Sequence, residues 1–255
     1  MKNRVLITSV GRKISLIRAF KEAGWHVIGT DSDPTAVALQ FCDEVLGVEE
    51  CEHHLVIPTR DAELLQYAGL PFSASRETIE TCLDKFKFYK WCKANGFKTP
   101  EVYFVKPRIS QSGKKTECVW QELVEGEEYS IDVFSNFLGH VISIVPRQRI
   151  KVVNGESSVT QVVALTPFLK ETENLCVKLG LVGHSVLQGF VKESTICWTD
   201  INCRFGGASV VAIQAGCKSP EWLLKIINGE EVKPCIGQYQ VGVIGKSFTE
   251  WEIAV

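Results

Sequence analysis

The spacing of apolar positions changes several times along the chain, and each change marks an element. Val5 to Ser9 is a short apolar run closed by Val10-Gly11-Arg12, which predicts a first strand. Ile14, Ile17 and Phe20 then fall three apart with Leu16 beside them, predicting a helix over Ile14 to Ala23 that Gly24 stops. His26 to Thr30 predicts a second strand running into Asp31-Ser32-Asp33-Pro34. Strand, helix and strand at this length make a βαβ unit, hence a parallel sheet. Leu55 to Pro58 predicts a further buried strand, and Asp61 to Tyr67 a helix after it.

From Thr78 to Asn95 the pattern is helical, with Ile79, Cys82, Leu83, Phe86, Phe88 and Trp91 on the apolar face and Gly96 as the stop. The second half has another texture. Glu101 to Arg108 and Val119 to Glu122 are rich in β-formers, and Tyr129 to Phe134 pairs with Gly139 to Val145 as an antiparallel hairpin. A helix is expected over Pro167 to Leu179, strands around Leu187 to Val191 and Ile196 to Ile201, and a last helix over Pro220 to Ile227. Four connections, at His53-His54 to Leu55, Tyr67 to Pro71, Tyr103 to Phe104 and Lys115 to Thr116, are shorter than a crossover of about a dozen residues. They point to segments missing from the numbering rather than to a pruned protein.

Composition narrows the class. The 255 residues, 45% hydrophobic and 23% charged, suit a soluble globular protein of one large or two to three small domains. A net charge of -2 provides no basic field for nucleic acid. No apolar run approaches a bilayer span, and Met1 to Val10 is broken by Thr8 and Ser9 with no cleavage site after it, so a cytoplasmic protein without a membrane partner is expected. The ten cysteines are scattered through apolar segments, contain no Cys-x-x-Cys pair, and in the case of Cys197, Cys203 and His184 match no structural zinc spacing; buried free thiols are expected.

Four segments carry candidate chemistry. After the first strand Thr8-Ser9-Val10-Gly11-Arg12 has one glycine where a dinucleotide fold needs three, which disfavours a Rossmann oxidoreductase. Asp31 and Asp33 serve either to cap and turn the chain before Pro34 or on the substrate side. Phe104-Val105-Lys106-Pro107-Arg108, followed by the small-residue loop Ser110 to Gly113, sets a strand-borne lysine against backbone donors, a phosphate arrangement that an exposed edge strand imitates. Gln121 to Tyr129 mixes apolar residues, a glycine and four acids, as suits an interdomain strand reading an adenine edge or a solvated acidic hairpin. Asp200 and Asn202 alternate on one strand, so both leave the same face, with Gln188 one strand earlier and Arg204 on that face too. Hard oxygen ligands two apart fit a magnesium ion that also holds phosphate oxygens. The plainer possibility is that Asp200 only pairs with Arg204.

Taken in order, VLITSVGRKISLIRAF, TDSDP, IPTRDAELL, DKFKFYKWCKANGFKTP, FVKPR, QELVEGEEYSIDV, VPRQRI and DINCRFGG resemble the ATP-grasp superfamily, and within it proteins similar to the carbamoyl phosphate synthase large subunit. The resemblance runs to about Gly229. It implies an α/β ATP-grasp fold: an N-terminal Rossmann-like domain over 1–75, linker helices over 76–103, an incomplete lid over 104–122 and a C-terminal antiparallel-sheet catalytic domain over 123–255. It implies ATP with magnesium, or manganese, as the cofactors. Lys106 and Lys85 would approach the phosphates under a loop containing Ser110, Ser112 and Gly113. Gln121 and the backbone at Glu122 and Leu123 would meet adenine, and Glu128 the ribose. Gln188, Asp200 and Asn202 would bind metal, and Arg204, with Lys106, would stabilise the reacting groups. Asp200 stands where the family usually has Glu, and Cys203 where it has Pro. The expected activity is a carboxylate–amine or carboxylate–ammonia ligase working through an acyl phosphate on small-molecule substrates, with a homodimer as the expected assembly. The alternative is a nucleotide-binding or sensing protein on a degenerate scaffold; bicarbonate phosphorylation is weaker because a single unit lacks paired halves.

Overall fold

The computed structural model of the chain describes residues 3–46, 55–109, 115–153 and 155–246. The apolar runs at the start become strands covered on both faces. β1 (Arg4–Thr8), β2 (His26–Thr30), β3 (Glu44–Val45) and β4 (Leu55–Ile57) pair in the order β3-β2-β1-β4, all parallel. α1 (Ile14–Glu22) makes the crossover between β1 and β2, burying Leu16, Ile17 and Phe20 as the three-residue spacing predicts. α2 (Asp61–Leu64) is shorter than the sequence suggested, because Leu64 alone of its residues is buried.

The helix expected over Thr78 to Asn95 is two helices, α3 (Arg76–Leu83) and α4 (Lys85–Asn95). Apolar spacing continues across the break, but Asp84 leaves helical geometry and its Oδ1 accepts from the amides of Phe86 and Lys87 at 2.8 and 3.0 Å. A side chain that caps one helix ends the other. Gly96, at φ 78°, closes α4 as expected.

β5 (Val102–Ile109) and β6 (Lys115–Gln121) form an antiparallel pair that stands as its own two-stranded sheet. β5 passes through Tyr103–Phe104, and β6 through Lys115–Thr116, although the register slips between Val102 and Phe104. Beyond them lies a six-stranded antiparallel sheet built from β7 (Glu127–Ser135), β8 (Val141–Val153), β9 (Glu156–Val162), β10 (Gly183–Lys192), β11 (Thr195–Asn202) and β12 (Ile244–Lys246). Its order is β11-β10-β7-β8-β9-β12. α5 (Leu169–Leu179) precedes β10, and α6 (Ser209–Gln214) and α7 (Ser219–Ile227) follow β11.

The two faces of the large sheet differ. Tyr129, Ile131, Val133, Leu187 and Ile201 point to one side and bury against Phe88, Cys92, Leu175 and Leu179 of α4 and α5. Alternation sends Glu128, Ser130 and Asp132 of β7, Gln188 of β10 and Asp200 and Asn202 of β11 to the other side. Further along that second side Phe134, Val145 and Val162 share one core with Val5, Ile7, Phe20 and Trp25, so the two sheets are joined by packing rather than by a hinge alone. No described helix is long and apolar enough to cross a membrane.

Candidate active site

β11 crosses the site with Ile201 in the apolar core and Asp200 and Asn202 facing away from it. Gln188 lies directly opposite Asp200 on β10, and a register shift immediately after it brings Gly189 opposite Trp198. The three oxygen-bearing side chains assigned to metal thus share one patch of sheet. Asp200 Oδ1 accepts from the amide of Ile201 at 3.1 Å, and Oδ2 lies 3.8 Å from Lys85 Nζ. Lys85 reaches it because the Asp84 cap starts α4 at that point. Burial pushes the Asp200 carboxyl up; Lys85 opposes this, while Asp61 adds to it.

Arg204 is not paired with Asp200. Its Nε and Nη2 donate to the two carboxylate oxygens of Asp61 at 2.6 and 2.9 Å, and Nη2 also donates to Asn202 Oδ1 at 3.0 Å. Asp61 opens α2, 143 residues away in sequence, so the fork ties the parallel-sheet half to the six-stranded sheet. Sequence reasoning missed Asp61 because nothing local links it to β11.

A buried ionic network holds the turn after Arg204. Arg147 Nε donates to Asp132 Oδ2 at 2.7 Å, and His184 Nε2 lies 3.0 Å from Asp132 Oδ1, all three nearly without solvent exposure. His184 Nδ1 is 2.8 Å from Ser219 Oγ, and its ring stacks on Phe205 with centroids 4.0 Å apart and planes 9° apart. The amide of Gly206 donates to Ser209 Oγ at 2.8 Å. Charged residues inside strands read as surface positions in sequence, so this network was not legible there.

The remaining assigned residues lie apart from that cluster. Lys106 sits on β5 with its backbone opposite Cys118. Ser110, Ser112 and Gly113 lie outside the described residues. Gln121 ends β6; the Glu122 amide donates to Glu101 O at 2.8 Å, and Leu123 beside it is 90% exposed. Glu128 forms an ion pair with Arg149, whose Nη2 donates to Gly155 O at 2.6 Å. Gly126 takes φ 140° where the link to β7 passes β10, and a Cβ there would stand 2.5 Å from Val191 O. Two open clefts of about 400 Å³, one beside Trp222 and Gln238 and one beside Lys170 and Asn174, contain none of these residues.

Among the described residues no three His, Cys, Asp or Glu side chains are grouped to hold a metal. Gln188, Asp200 and Asn202 offer one carboxylate and two amide oxygens. That set fits magnesium carried in by phosphate oxygens, which needs one or two carboxylates rather than a full protein cage. A carboxylate whose charge burial disfavours also gains from a neighbouring cation. The cysteines given by the structure are free thiols, and burial pushes Cys92 and Cys217 up to about 12.

A family described as the PylC-like N-terminal domain matches residues 5–65. No curated protein matches the chain in sequence. Among solved structures, N5-carboxyaminoimidazole synthetase from Staphylococcus aureus complexed with ADP is 13% identical over 94% of this chain and 80% of its own, with a TM-score of 0.71. The phosphoribosylaminoimidazole carboxylase ATPase subunit from Aquifex aeolicus is 16% identical over 98% and 84%, with a TM-score of 0.68. Phosphoribosylglycinamide synthetase from Anaerococcus prevotii is 15% identical over 90% and 76%, also with a TM-score of 0.68. At these identities the likeness carries the fold. The family model described as ATP-grasp in the biosynthetic pathway with Ter operon matches residues 114–246, more than half of the 255, and the chain belongs to that ATP-grasp family.

Proposed function

We propose that the protein is an ATP-dependent ligase that joins a small carboxylate to an amine or ammonia. The observation that carries this is the row of Gln188, Asp200 and Asn202 on one sheet face, with Lys85 on one flank and Arg204 on the other, in a member of the ATP-grasp family. Residues 1–75 would serve the substrate side, 76–103 as linker helices, 104–122 as the cover and 123–255 as the catalytic sheet.

In this scheme ATP lies between the β5–β6 pair and the polar face of the large sheet. Lys106 and Lys85 neutralise its phosphates, and Ser110, Ser112 and Gly113 supply donors over them. Gln121 and the backbone at Glu122 and Leu123 take the adenine edge. Glu128 takes the ribose hydroxyls, sharing its carboxylate with Arg149. Gln188, Asp200 and Asn202 would hold magnesium or manganese, which supplies charge neutralisation on the phosphate oxygens. An oxygen of the substrate carboxylate attacks the γ-phosphorus as the bond to ADP breaks. The amine then attacks the acyl carbon, phosphate leaves with the C–O electron pair, and the amine gives up a proton. Arg204 steadies the acid through both steps. The protein's share is positioning and charge, with no covalent intermediate of its own.

A screen for ADP release over amino acids and small acids, each with and without ammonia or an amine, tests the scheme. Release that requires both an acid and a nitrogen nucleophile is expected, and Lys106→Ala is expected to weaken ATP binding by calorimetry while the fold holds. A second reading, nucleotide binding without turnover, draws on the single carboxylate in the Gln188–Asp200–Asn202 set. ATP binding with no acid-dependent ADP release would decide for it.

A further inference from the structure

Outside the Asp200 row, cations without ion-pair partners among the described residues gather where β1 and β4 end. These strands are parallel neighbours, Val5 opposite Leu55 through Ile7 opposite Ile57, so the loops leaving their carboxyl ends emerge side by side. Strand order β3-β2-β1-β4 reverses there, and such reversals open the crevice in which α/β sheets take ligands. Thr59 Oγ1 fastens the two loops, lying 2.7 Å from Thr8 O and 2.8 Å from Ser9 O. Ser9 and Gly11 take φ 48° and 49°, turning the chain back before Lys13. Arg60 stands on the facing loop, and Arg204 enters from β11, held by the neighbouring Asp61.

Every acid around this crevice has partners. Glu63 accepts from the hydroxyls of Thr8 and Ser9. Asp31 accepts from the amides of Gly11 and Asp33 at 2.8 and 2.9 Å, and Asp61 is taken by Arg204. The cations are not matched in this way. Lys13 Nζ meets the carbonyl of Ser9 at 3.1 Å, and the Arg60 side chain, whose backbone carbonyl accepts from the Glu63 amide, has no hydrogen bond or ion pair among the described residues. Burial first, then repulsion from Arg60 and Arg204, pushes the Lys13 ammonium down, against the weaker attraction of Asp31 and Glu63. Two cations with no carboxylate in ion-pair contact, one of them half-buried, sit near the guanidinium of Arg204.

We propose that Lys13 and Arg60 bind a second acid group of the substrate, a carboxylate or a phosphate, while Arg204 meets the carboxylate that reacts. The acid substrate is therefore a diacid rather than a simple monocarboxylate. This rests on the ligase reading for the role of Arg204. A guanidinium fork and an ammonium close enough to repel one another suit either oxyanion between them.

Calorimetry on the full chain without nucleotide tests it, using succinate, 3-phosphoglycerate and butyrate as probes. At least one diacid is expected to bind about tenfold or more tightly than butyrate, as one charge-assisted contact allows, and which diacid does so distinguishes carboxylate from phosphate. Arg60→Gln and Lys13→Met are each expected to remove about that factor while leaving butyrate unchanged, with Arg60→Lys retaining part of it. Arg60 is exposed, so its variants test the site even if Lys13→Met lowers the melting temperature. Butyrate binding as tightly as both diacids, neither diacid binding, or a preference that survives the double variant would overturn the proposal. Calorimetry reads no turnover, so diacid binding here together with no acid-dependent ADP release in the separate screen would sink the ligase reading and leave the anion site standing.

Discussion

Asp132→Asn removes one charge from the most deeply buried ion pair described and leaves its shape. Asp132 is 0% exposed, Arg147 is 2% exposed, and the pair is closed by Nε and Nη2 contacts of 2.7 and 2.6 Å, with His184 on the other carboxylate oxygen. The asparagine strands the guanidinium in the core without a counter-charge, which costs about 3–5 kcal/mol. At roughly 2–4 °C per kcal/mol for a chain of this size, the melting temperature should fall by on the order of 10 °C. Urea titration and thermal melts followed by circular dichroism read both figures. Removing both charges together, as Asp132→Leu with Arg147→Met, is expected to recover most of the loss, since only the isolated charge is costly. The pH profile carries a second signature. Burial raises the Asp132 carboxyl, but Arg147 and His184 outweigh it and the net shift is down. A carboxyl lowered by folding stabilises above its ordinary value of about 3.9 and loses that contribution as pH falls through the folded value. The parent should therefore lose stability below about pH 4 through a term that Asp132→Asn lacks. A variant within about 1 kcal/mol of the parent, with the same acid limb, would refute the buried pair.

Three further outcomes are expected. The Asp200 carboxyl is raised, so its folded-state contribution is greatest in acid, below the ordinary carboxylate value, and is lost as pH rises from there through the raised folded value; Asp200→Asn at neutral pH should keep or raise the melting temperature while abolishing most magnesium-dependent ADP release, and Asp200→Glu should retain turnover. Parent-level release by Asp200→Asn would remove the metal assignment. Amides of Phe104 to Ile109, in a sheet of two strands, should exchange faster than those of Ile131 to Phe134 and slow on adding an ATP analogue with magnesium; equal protection with and without nucleotide would count against a closing cover. Gly183 has φ 75° and a Cβ there would lie 2.4 Å from Phe72 O, so Gly183→Ala should cost about 1–3 kcal/mol in urea titration, whereas Gly207→Ala, with open space around it, should not change stability.

Elements with a clear period were legible in the sequence. β1, α1, β2, the β7–β8 hairpin and the alternation of Asp200 with Asn202 all emerge from neighbours a few residues apart. The failures have physical causes. A cap inside a continuous apolar stripe, at Asp84, is invisible to periodicity. β9, with the sequence ESSVTQV, is built on hydroxyls and has no apolar alternation to mark it, and β12 is three residues long. The helix α6 begins without a capping side chain and was not foreseen. The site divides in the same way. Residues of one strand were found together, but the Asp61 partner of Arg204 and the Asp132–Arg147–His184 network depend on pairings 15 to 143 residues apart.

Under the proposed ligase scheme, the Asp61 fork has a consequence for entry of the acid. A carboxylate approaching Arg204 meets a guanidinium whose two arms are already taken, so it exchanges with a resident rather than filling a vacancy. The resident is tethered by the chain and competes at a local concentration that dilution of the protein cannot lower. Affinity for the incoming acid is then a difference between two carboxylates, and a weak monoacid loses the contest even when its own contacts are good. An acid with a second foothold displaces Asp61 and, in doing so, releases a tie between the two sheets. One polar tie is exchanged in this way, while the shared core of Phe20, Phe134 and Val145 keeps the two sheets packed.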